Sequence, residues 1–128
     1  MTSPGLEDML LRELQENDFK VLNKVRMGVY FEGDVSECYR ANICLRTATR
    51  VLWTLTSFIA DTNERLYEKI YEIPFEEFAT SKNTIVVHST TSNSVAFPDE
   101  RFLALKTKDA IVDRFRDKFG ERPNVDKH

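Results

Sequence analysis

The fold is constrained most strongly by a change of pattern within the first sixty residues, where apolar residues at helical spacing give way to short strand-like runs. Apolar residues recur at helical spacing after Ser3 and Pro4, which suit a helix N-terminus, and the pattern ends near Asn17. These apolar residues are Leu6, Met9, Leu10 and Leu14. Lys20–Val25 and Gly28–Glu32 are then rich in β-branched and aromatic residues. The chain is therefore predicted to begin with an amphipathic helix followed by a hairpin.

A second helix and a further strand are predicted after the hairpin. Asp34 followed by Glu37 has the pattern of a capping box at a helix start. The buried side of this helix is predicted to carry Val35, Tyr39 and Ile43. VLWTLTSFI, Val51 to Ile59, then alternates like a strand, with Trp53 packed in the core. The order helix, hairpin, helix, strand is that of a ferredoxin-like fold whose first strand is missing or reduced to Met1–Ser3.

The second half of the chain predicts another small α/β arrangement. A helix through Leu66, Ile70 and Tyr71 is followed by a turn at Pro74, a short FEEF helix and a buried strand TIVVHS, Thr84 to Ser89. The polar loop SNSVAFPDE leads to a last helix that stops at Gly120. The apolar side of the last helix carries Leu103, Ala104, Ile111, Phe115 and Phe119. We therefore expect an α+β chain with a ferredoxin-like subdomain over residues 1–60 and an α/β subdomain over residues 61–128.

Composition limits the classes of protein that this chain can represent. No apolar run approaches the roughly 20 residues that a membrane span requires, and the N-terminus has no pattern of a secretory signal. We therefore expect a cytoplasmic protein with no membrane partner. The net charge of −3 argues against an indiscriminate polyanion binder, although residues 101–128 alone sum to +3.

Two lysines stand at the front of the apolar pattern of the last helix, in ALKTKDAIVDRF. On a helical wheel Lys108 falls inside the apolar arc around Ile111, and Lys106 falls opposite. One interpretation is that the core-facing helix begins only near Thr107, which leaves both lysines exposed. The other is that the lysines bind a phosphate together with free amides at a helix start. The spacing leaves both interpretations open.

The same segment carries a resemblance to a known family. ALKTKDAIVDRF, followed by GERPNVD (Gly120 to Asp126), is similar to a signature of the THUMP-domain RNA methyltransferases. Further matches, in the family's order, are GLEDMLLREL (Gly5–Leu14), VYFEGD (Val29–Asp34) and ANICLRTATRVL (Ala41–Leu52). Together the matches cover nearly the whole chain.

The resemblance implies a ferredoxin-like subdomain followed by an incomplete THUMP domain that holds RNA. Members of this family are mostly guanine-N2 methyltransferases of ribosomal RNA, related enzymes act on transfer RNA, and a separate catalytic domain binds S-adenosylmethionine. A glycine-rich cofactor turn and an Asn-Pro-Pro-aromatic motif are absent from the 128 residues. We therefore expect the RNA-positioning portion of such an enzyme, with no catalysis and no cofactor of its own. Its expected partner is structured RNA, with ribosomal RNA favoured over transfer RNA.

Seven residues are candidate RNA contacts: Lys106, Lys108, Arg114, Arg46, Arg50, Asn93 and Ser94. The first three would hold phosphates while RNA shape supplies selectivity. Arg46 and Arg50 have the alternative of satisfying carbonyls at a helix C-terminus or pairing with acids. Asn93 and Ser94 have the alternative of serving as turn residues.

The rival interpretation is a protein-interaction module. Two histidines and two cysteines without metal-ligand spacing, and no GxSxG elbow, indicate neither a metal site nor a catalytic site. A THUMP sheet without its later strands would leave TIVVHS with an unpaired edge. Such a chain would self-associate, or pair with a separately encoded remainder, without RNA affinity of its own.

Overall fold

The computed structural model describes residues 1–121 and 123–125. The chain divides into two compact units, Met1–Thr54 and Leu55–His128, referred to below as the N-terminal and the C-terminal unit. Both units combine helices with a two-stranded sheet, so the predicted α+β class is confirmed. The domain boundary between residues 60 and 61 stays a prediction. Within the described ranges, every helix is too short or too polar to cross a bilayer.

The N-terminal unit contains the predicted helix, hairpin and helix. In chain order they are α1 (Glu7–Glu16), β1 (Lys20–Val25), β2 (Gly28–Glu32) and α2 (Val35–Cys44). β1 and β2 pair antiparallel with the predicted bounds. Asp34 caps α2 as predicted, since its carboxylate accepts a hydrogen bond from the Glu37 amide at 3.0 Å.

The predicted start of α1 near Ser3 and Pro4 was wrong. Gly5 turns the chain there with a φ of +87°, a conformation that glycine adopts without steric cost. The Gly5 amide donates to the Glu7 carboxylate at 2.9 Å, and the helix begins at Glu7. The Glu7 carboxylate, inside the first turn, therefore accepts a hydrogen bond at the helix start, a role that the sequence pattern assigned to the Ser3 side chain.

The first two residues join the hairpin to the segment that follows α2. The Thr2 amide donates to the Met27 carbonyl at 2.9 Å, and the Thr49 amide donates to the Met1 carbonyl at 2.9 Å. The Met1 ammonium donates to the Arg50 carbonyl at 2.8 Å. This placement between the hairpin and the chain after α2 agrees with a first strand reduced to Met1–Ser3.

The core of the N-terminal unit lies between the two helices and the hairpin. It contains Leu10, Leu14, Phe19 and Ala41. The predicted buried side of α2 was wrong: Val35 is exposed, and Tyr39 and Ile43 are 69% and 83% exposed. Ala41 faces the core instead, and residues two positions away on either side lie about 200° around the helix from it. The small Ala41 side chain allows α2 to lie close to the core.

The strand predicted for Val51–Ile59 was also wrong. None of these residues belongs to a strand, and Trp53, expected in the core, is 50% exposed. Alternation of apolar and polar side chains shows only that an extended segment would have two different faces. A strand also needs a neighbouring backbone to pair with. Among the described residues, Val51–Ile59 make no backbone–backbone hydrogen bond that would supply such pairing.

The C-terminal unit is built around two packed helices. Its elements are α3 (Asn63–Tyr71), a short 3₁₀ helix (Phe75–Glu77), β3 (Thr84–Ile85), α4 (Glu100–Phe119) and β4 (Asn124–Val125). β3 pairs parallel with β4. The core contains Leu66, Ile70, Ala110, Ile111 and Phe115. Only the first two residues of the predicted buried strand TIVVHS form a strand, and Gly120 ends α4 as predicted, with a φ of +72°.

Candidate nucleic-acid interface

The two lysines that precede the apolar pattern lie well inside α4. This helix begins at Glu100, and its N-cap residue Asp99 accepts a hydrogen bond from the Arg101 amide at 2.9 Å. The interpretation that the helix begins near Thr107 was therefore wrong. Lys106 lies about 9 Å along the axis from Glu100, so the free amides of the helix start do not adjoin it. Any anion bound by the lysines must be held by side chains.

The Lys106 ammonium lies over an aromatic ring. Its Nζ is 5.7 Å from the centroid of the Phe102 ring, one helical turn earlier. Within the described part of the chain, Lys106 makes no ion pair with a carboxylate. A cation–π contact positions the ammonium but does not neutralise its charge, so Lys106 can still bind an anion.

Lys108 is partly covered and is paired with its neighbour. Its side chain is 31% exposed, and its Nζ lies 3.3 Å from Oδ1 of Asp109. The helical wheel placed Lys108 inside the apolar arc, and the aliphatic stem can lie along that surface while the ammonium reaches solvent. Exposed ion pairs of this kind contribute little to stability, so a phosphate can replace Asp109 at small cost.

Arg101 is a cation of the same helix that sequence reasoning missed. It is exposed and lies seven residues before Lys108, which places both side chains on one face of α4. The described residues offer it no ion pair. The signal that could have identified Arg101 was Asp99, since an N-cap there starts the helix at Glu100 and aligns the two cations.

The loop that contains Asn93 and Ser94 is fastened to the start of α4. The Ser89 hydroxyl donates to the Glu100 carbonyl, and the Thr91 amide donates to the Glu100 carboxylate at 3.0 Å. Ser94 has the role of a turn residue, because its Oγ accepts a hydrogen bond from the Phe97 amide at 3.0 Å. Asn93 is exposed with a φ of +52°. The structure thus brings this loop to the end of α4 that carries Arg101.

Arg114 faces the interior of the C-terminal unit. Its side chain is 13% exposed, its Nε donates to Glu76 Oε2 at 2.7 Å, and its Nη1 donates to the Tyr71 carbonyl at 2.7 Å. The hydrogen bond from Arg114 lowers the pKa of Glu76 to about 2. The guanidinium is already used within the fold, so Arg114 is unsuited to the phosphate contact that the sequence suggested.

Arg46 and Arg50 lie in the N-terminal unit, after α2. The Arg46 amide donates to the Glu13 carboxylate, and both arginine side chains are exposed. In the described ranges, neither guanidinium makes an ion pair or a hydrogen bond to a carbonyl. The alternative in which they satisfy helix carbonyls is therefore not supported. Their contact with RNA stays a prediction.

The described residues contain no cluster of histidine, cysteine and acidic side chains that could hold a metal ion. The four glycines of the chain are Gly5, Gly28, Gly33 and Gly120. They are isolated from one another, and a Cβ at Gly33 would clash with the side chain of Glu37. No glycine therefore belongs to a turn that could cradle a nucleoside cofactor, and these residues do not fit S-adenosylmethionine.

Comparison with protein families divides the chain into two matches. Residues 1–52 match the RlmL ferredoxin-like domain, and residues 60–128 match the THUMP domain. Curated relatives named ribosomal RNA large subunit methyltransferase K/L share this region. The protein of Syntrophotalea carbinolica is 36% identical over 98% of this chain, and that of Cellvibrio japonicus is 37% identical over 96%. The chain spans only 18% and 16% of the length of these two relatives.

Solved structures share the fold. A predicted N6-adenine-specific DNA methylase from Listeria monocytogenes is 30% identical, with a TM-score of 0.80 over 93% of this chain and 31% of its own. A putative methyltransferase complexed with SAH has a TM-score of 0.84 over 96% of this chain and 34% of its own. Because the second is 22% identical, it is informative about the fold alone.

Proposed function

The chain belongs to the THUMP-domain family, as an RlmL ferredoxin-like domain followed by a THUMP domain, and from that membership we propose that it holds structured RNA for a methyltransferase. The observation that carries the proposal is one face of α4. Arg101 and Lys108 share this face, and the loop with Asn93 and Ser94 is fastened at its start. Lys106 lies on the opposite side of the helix, over the ring of Phe102, and supplies a second phosphate-binding position.

The three cations suit the backbone of a folded RNA. Each ammonium or guanidinium would contact a phosphate and release counterions, while Asn93 and Ser94 would donate to ribose or phosphate oxygens. Contacts of this kind recognise shape and strand geometry, because they do not reach base edges. Arg46 and Arg50 would extend the contact on the N-terminal unit.

The relatives support a proposal for the substrate of the whole protein. The name of these relatives, ribosomal RNA large subunit methyltransferase K/L, supports large-subunit ribosomal RNA as the substrate, and we infer methylation of guanine N2 with S-adenosylmethionine as the methyl donor. Such a substrate would place the protein in the cytoplasm. The residues described above do not fit the cofactor, so we assign to this chain the binding and orientation of RNA and no chemical step.

The test is an RNA-binding titration at several salt concentrations with a fragment of large-subunit ribosomal RNA. We expect the Lys106→Ala/Lys108→Ala variant to bind more weakly and to lose about two phosphate contacts, which makes the negative slope of log K against log salt shallower by roughly 1.5 to 2. The matched control is Lys82→Ala/Lys118→Ala, which removes the same charge elsewhere in the C-terminal unit. Arg101→Ala alone should remove about one contact.

Three results would contradict the proposal. Equal affinity of wild type for RNA and for a DNA duplex of the same length would exclude an RNA-specific surface. Equal binding by wild type and the Lys106→Ala/Lys108→Ala variant would exclude this face of α4. If RNA does not bind at all and the chain forms oligomers in analytical ultracentrifugation, the interaction-module alternative is favoured.

A further inference from the structure

Two exposed apolar side chains adjoin on the first half of α4. Phe102 is 40% exposed and Leu105 is 52% exposed, whereas Ile111 and Phe115 of the same helix are buried in the core. Residues three positions apart are neighbours on a helix surface, so the Phe102 ring and the Leu105 side chain form one continuous apolar surface. We call this pair the apolar strip.

Cations flank the apolar strip on both sides. On a helical wheel of about 100° per residue, Arg101 precedes Leu105 around the helix, and Lys106 follows Phe102. Each cation lies within about 40° of the strip on this wheel. The described residues place no carboxylate in ion-pair contact with Arg101 or Lys106. An apolar surface between two unneutralised charges suits a ligand that combines an apolar face with negative charge.

Acidic residues limit this surface to the first two turns of α4. Asp109 lies one turn after Leu105 on the exposed side, and its Oδ1 is 3.3 Å from the Lys108 ammonium. Glu100 lies about 160° around the helix from Phe102, away from the strip. Since the Asp109 carboxylate would repel a phosphate, an anionic ligand is confined to the strip and its flanking cations.

The contact between Lys106 and Phe102 leaves the ring accessible. The Lys106 Nζ is 5.7 Å from the ring centroid, close to the limit of about 6 Å for a cation–π interaction. A flat aromatic ligand makes closer contact with the ring, and the flexible stem of lysine allows the ammonium to move aside. The ammonium then lies at the edge of the ligand, where it can bind a phosphate.

A nucleobase of an RNA has the chemistry that this surface requires. Each base offers a flat aromatic face, and each nucleotide carries a phosphate. Within a duplex both faces of a base are covered by its neighbours, so only a base in a loop, a bulge or an end can stack on a side chain. A protein partner would need an acidic group on each side of its apolar contact, which RNA supplies with every nucleotide.

We propose that the apolar strip is a stacking platform for one unpaired base of the bound RNA. Phe102 stacks on the base, Leu105 extends the apolar contact, and Lys106 and Arg101 hold the phosphates on the two sides. This inference rests on the proposed function and adds a requirement to the RNA, an unpaired nucleotide beside a folded region. Because stacking uses the face of the base, the platform selects an unpaired position and tolerates any base.

The probes are two RNA hairpins that differ only at one stem adenosine, which is unpaired in the first and faces a uridine in the second. We expect the full chain to bind the first hairpin at least about fivefold more tightly, which corresponds to the lower limit for stacking of a base on an aromatic side chain. With 2-aminopurine in place of the unpaired adenine, binding should change the fluorescence of that base. The paired hairpin measures the phosphate contacts alone.

Replacing the ring should remove the preference for the unpaired base. In Phe102→Ala both hairpins should bind with equal affinity, and the slope of log K against log salt should stay as in wild type, because the phosphate contacts remain. Phe102→Trp should restore the preference, since an indole also stacks on bases. Phe78→Ala is the matched control, because Phe78 is an exposed phenylalanine of the same unit. Thermal unfolding checks that each variant is folded.

The outcomes separate this inference from the proposed function. Equal affinity of wild type for the two hairpins, with weaker binding by Lys106→Ala/Lys108→Ala, would overturn the stacking platform and leave the RNA-holding function intact. Absence of binding to either hairpin would overturn both.

Two further results would overturn the stacking platform. Equal weakening of both hairpins by Phe102→Ala would assign the ring to a general surface contact. Conversion of an oligomer to a monomer by Phe102→Ala, measured by analytical ultracentrifugation, would identify the apolar strip as an interface between copies of the chain.

Discussion

Arg114 of α4 and Glu76 of the 3₁₀ helix form a two-pronged ion pair. Arg114 Nε donates to Glu76 Oε2 at 2.7 Å, and Nη2 donates to Oε1 of the same carboxylate. Arg114 Nη1 also donates to the carbonyl of Tyr71, the last residue of α3. One guanidinium therefore joins α4 to the segment that follows α3, and the planar fork of arginine suits this role.

Replacing Arg114 should destabilise the C-terminal unit. Arg114→Met removes both prongs and leaves the Glu76 carboxylate without its partner, so we expect the Tm to fall by several degrees. Arg116→Met is the matched control, because Arg116 is exposed and lies 3.7 Å from Asp113. Thermal unfolding followed by circular dichroism distinguishes the two, and equal Tm values would contradict the structural role of Arg114.

The same pair predicts loss of stability in acid. The hydrogen bond from Arg114 lowers the pKa of Glu76 from 4.5 to about 2. A carboxyl group with a depressed folded-state pKa stabilises the fold above pH 4.5, and this contribution is lost as the pH falls from about 4.5 to about 2. Urea unfolding across this range should show a shallower pH dependence for Glu76→Gln than for wild type. Identical curves would show that the pair makes no contribution.

Tyr67 predicts the opposite dependence at alkaline pH. Its hydroxyl donates to Asp113 Oδ2 at 2.5 Å, and this bond, together with burial, raises the pKa of Tyr67 from 10 to about 12. A group with a raised folded-state pKa contributes full stability below pH 10, and this contribution is lost between about pH 10 and pH 12. Tyr67→Phe should therefore flatten the stability curve in this window. Absorbance titration of the Tyr67→Phe variant should show one tyrosine fewer ionising near pH 12. An unchanged stability curve would contradict the assignment.

Glu13 holds the segment after α2 in the N-terminal unit. Its carboxylate accepts hydrogen bonds from the Arg46 amide, from the Thr47 amide at 3.2 Å and from the Thr47 hydroxyl at 2.7 Å. Burial opposes ionisation, but these hydrogen bonds hold the pKa of Glu13 below its usual value. Glu13→Gln keeps one acceptor oxygen and should cost about 1 kcal/mol of the free energy of unfolding, after allowance for solvent screening.

Hydrogen exchange provides the local measurement for this variant. The Arg46 and Thr47 amides should exchange faster in Glu13→Gln, whereas amides of α3 should not change. Glu16→Gln, on the exposed side of the same helix, is the control. Faster exchange in both variants would indicate a general loss of charge and not the loss of these bonds.

The sequence by itself determined the features that depend on neighbouring residues. The bounds of the hairpin, the cap at Asp34 and the end of α4 at Gly120 all agree with the structure. Each of them follows from backbone preferences and contacts within a few residues, which a local pattern records. The family resemblance was also accessible, because its motifs are contiguous stretches of the chain.

The tertiary structure alone decided which residues are covered and which cations remain available. Val51–Ile59 alternates like a strand, but the described residues supply no neighbour to pair with it. Arg114 and Lys106 were both candidate phosphate contacts, yet Glu76, 38 residues before Arg114 in sequence, binds only Arg114. Pairing of strands and of charges depends on groups brought together by folding, and a local sequence pattern carries no record of them.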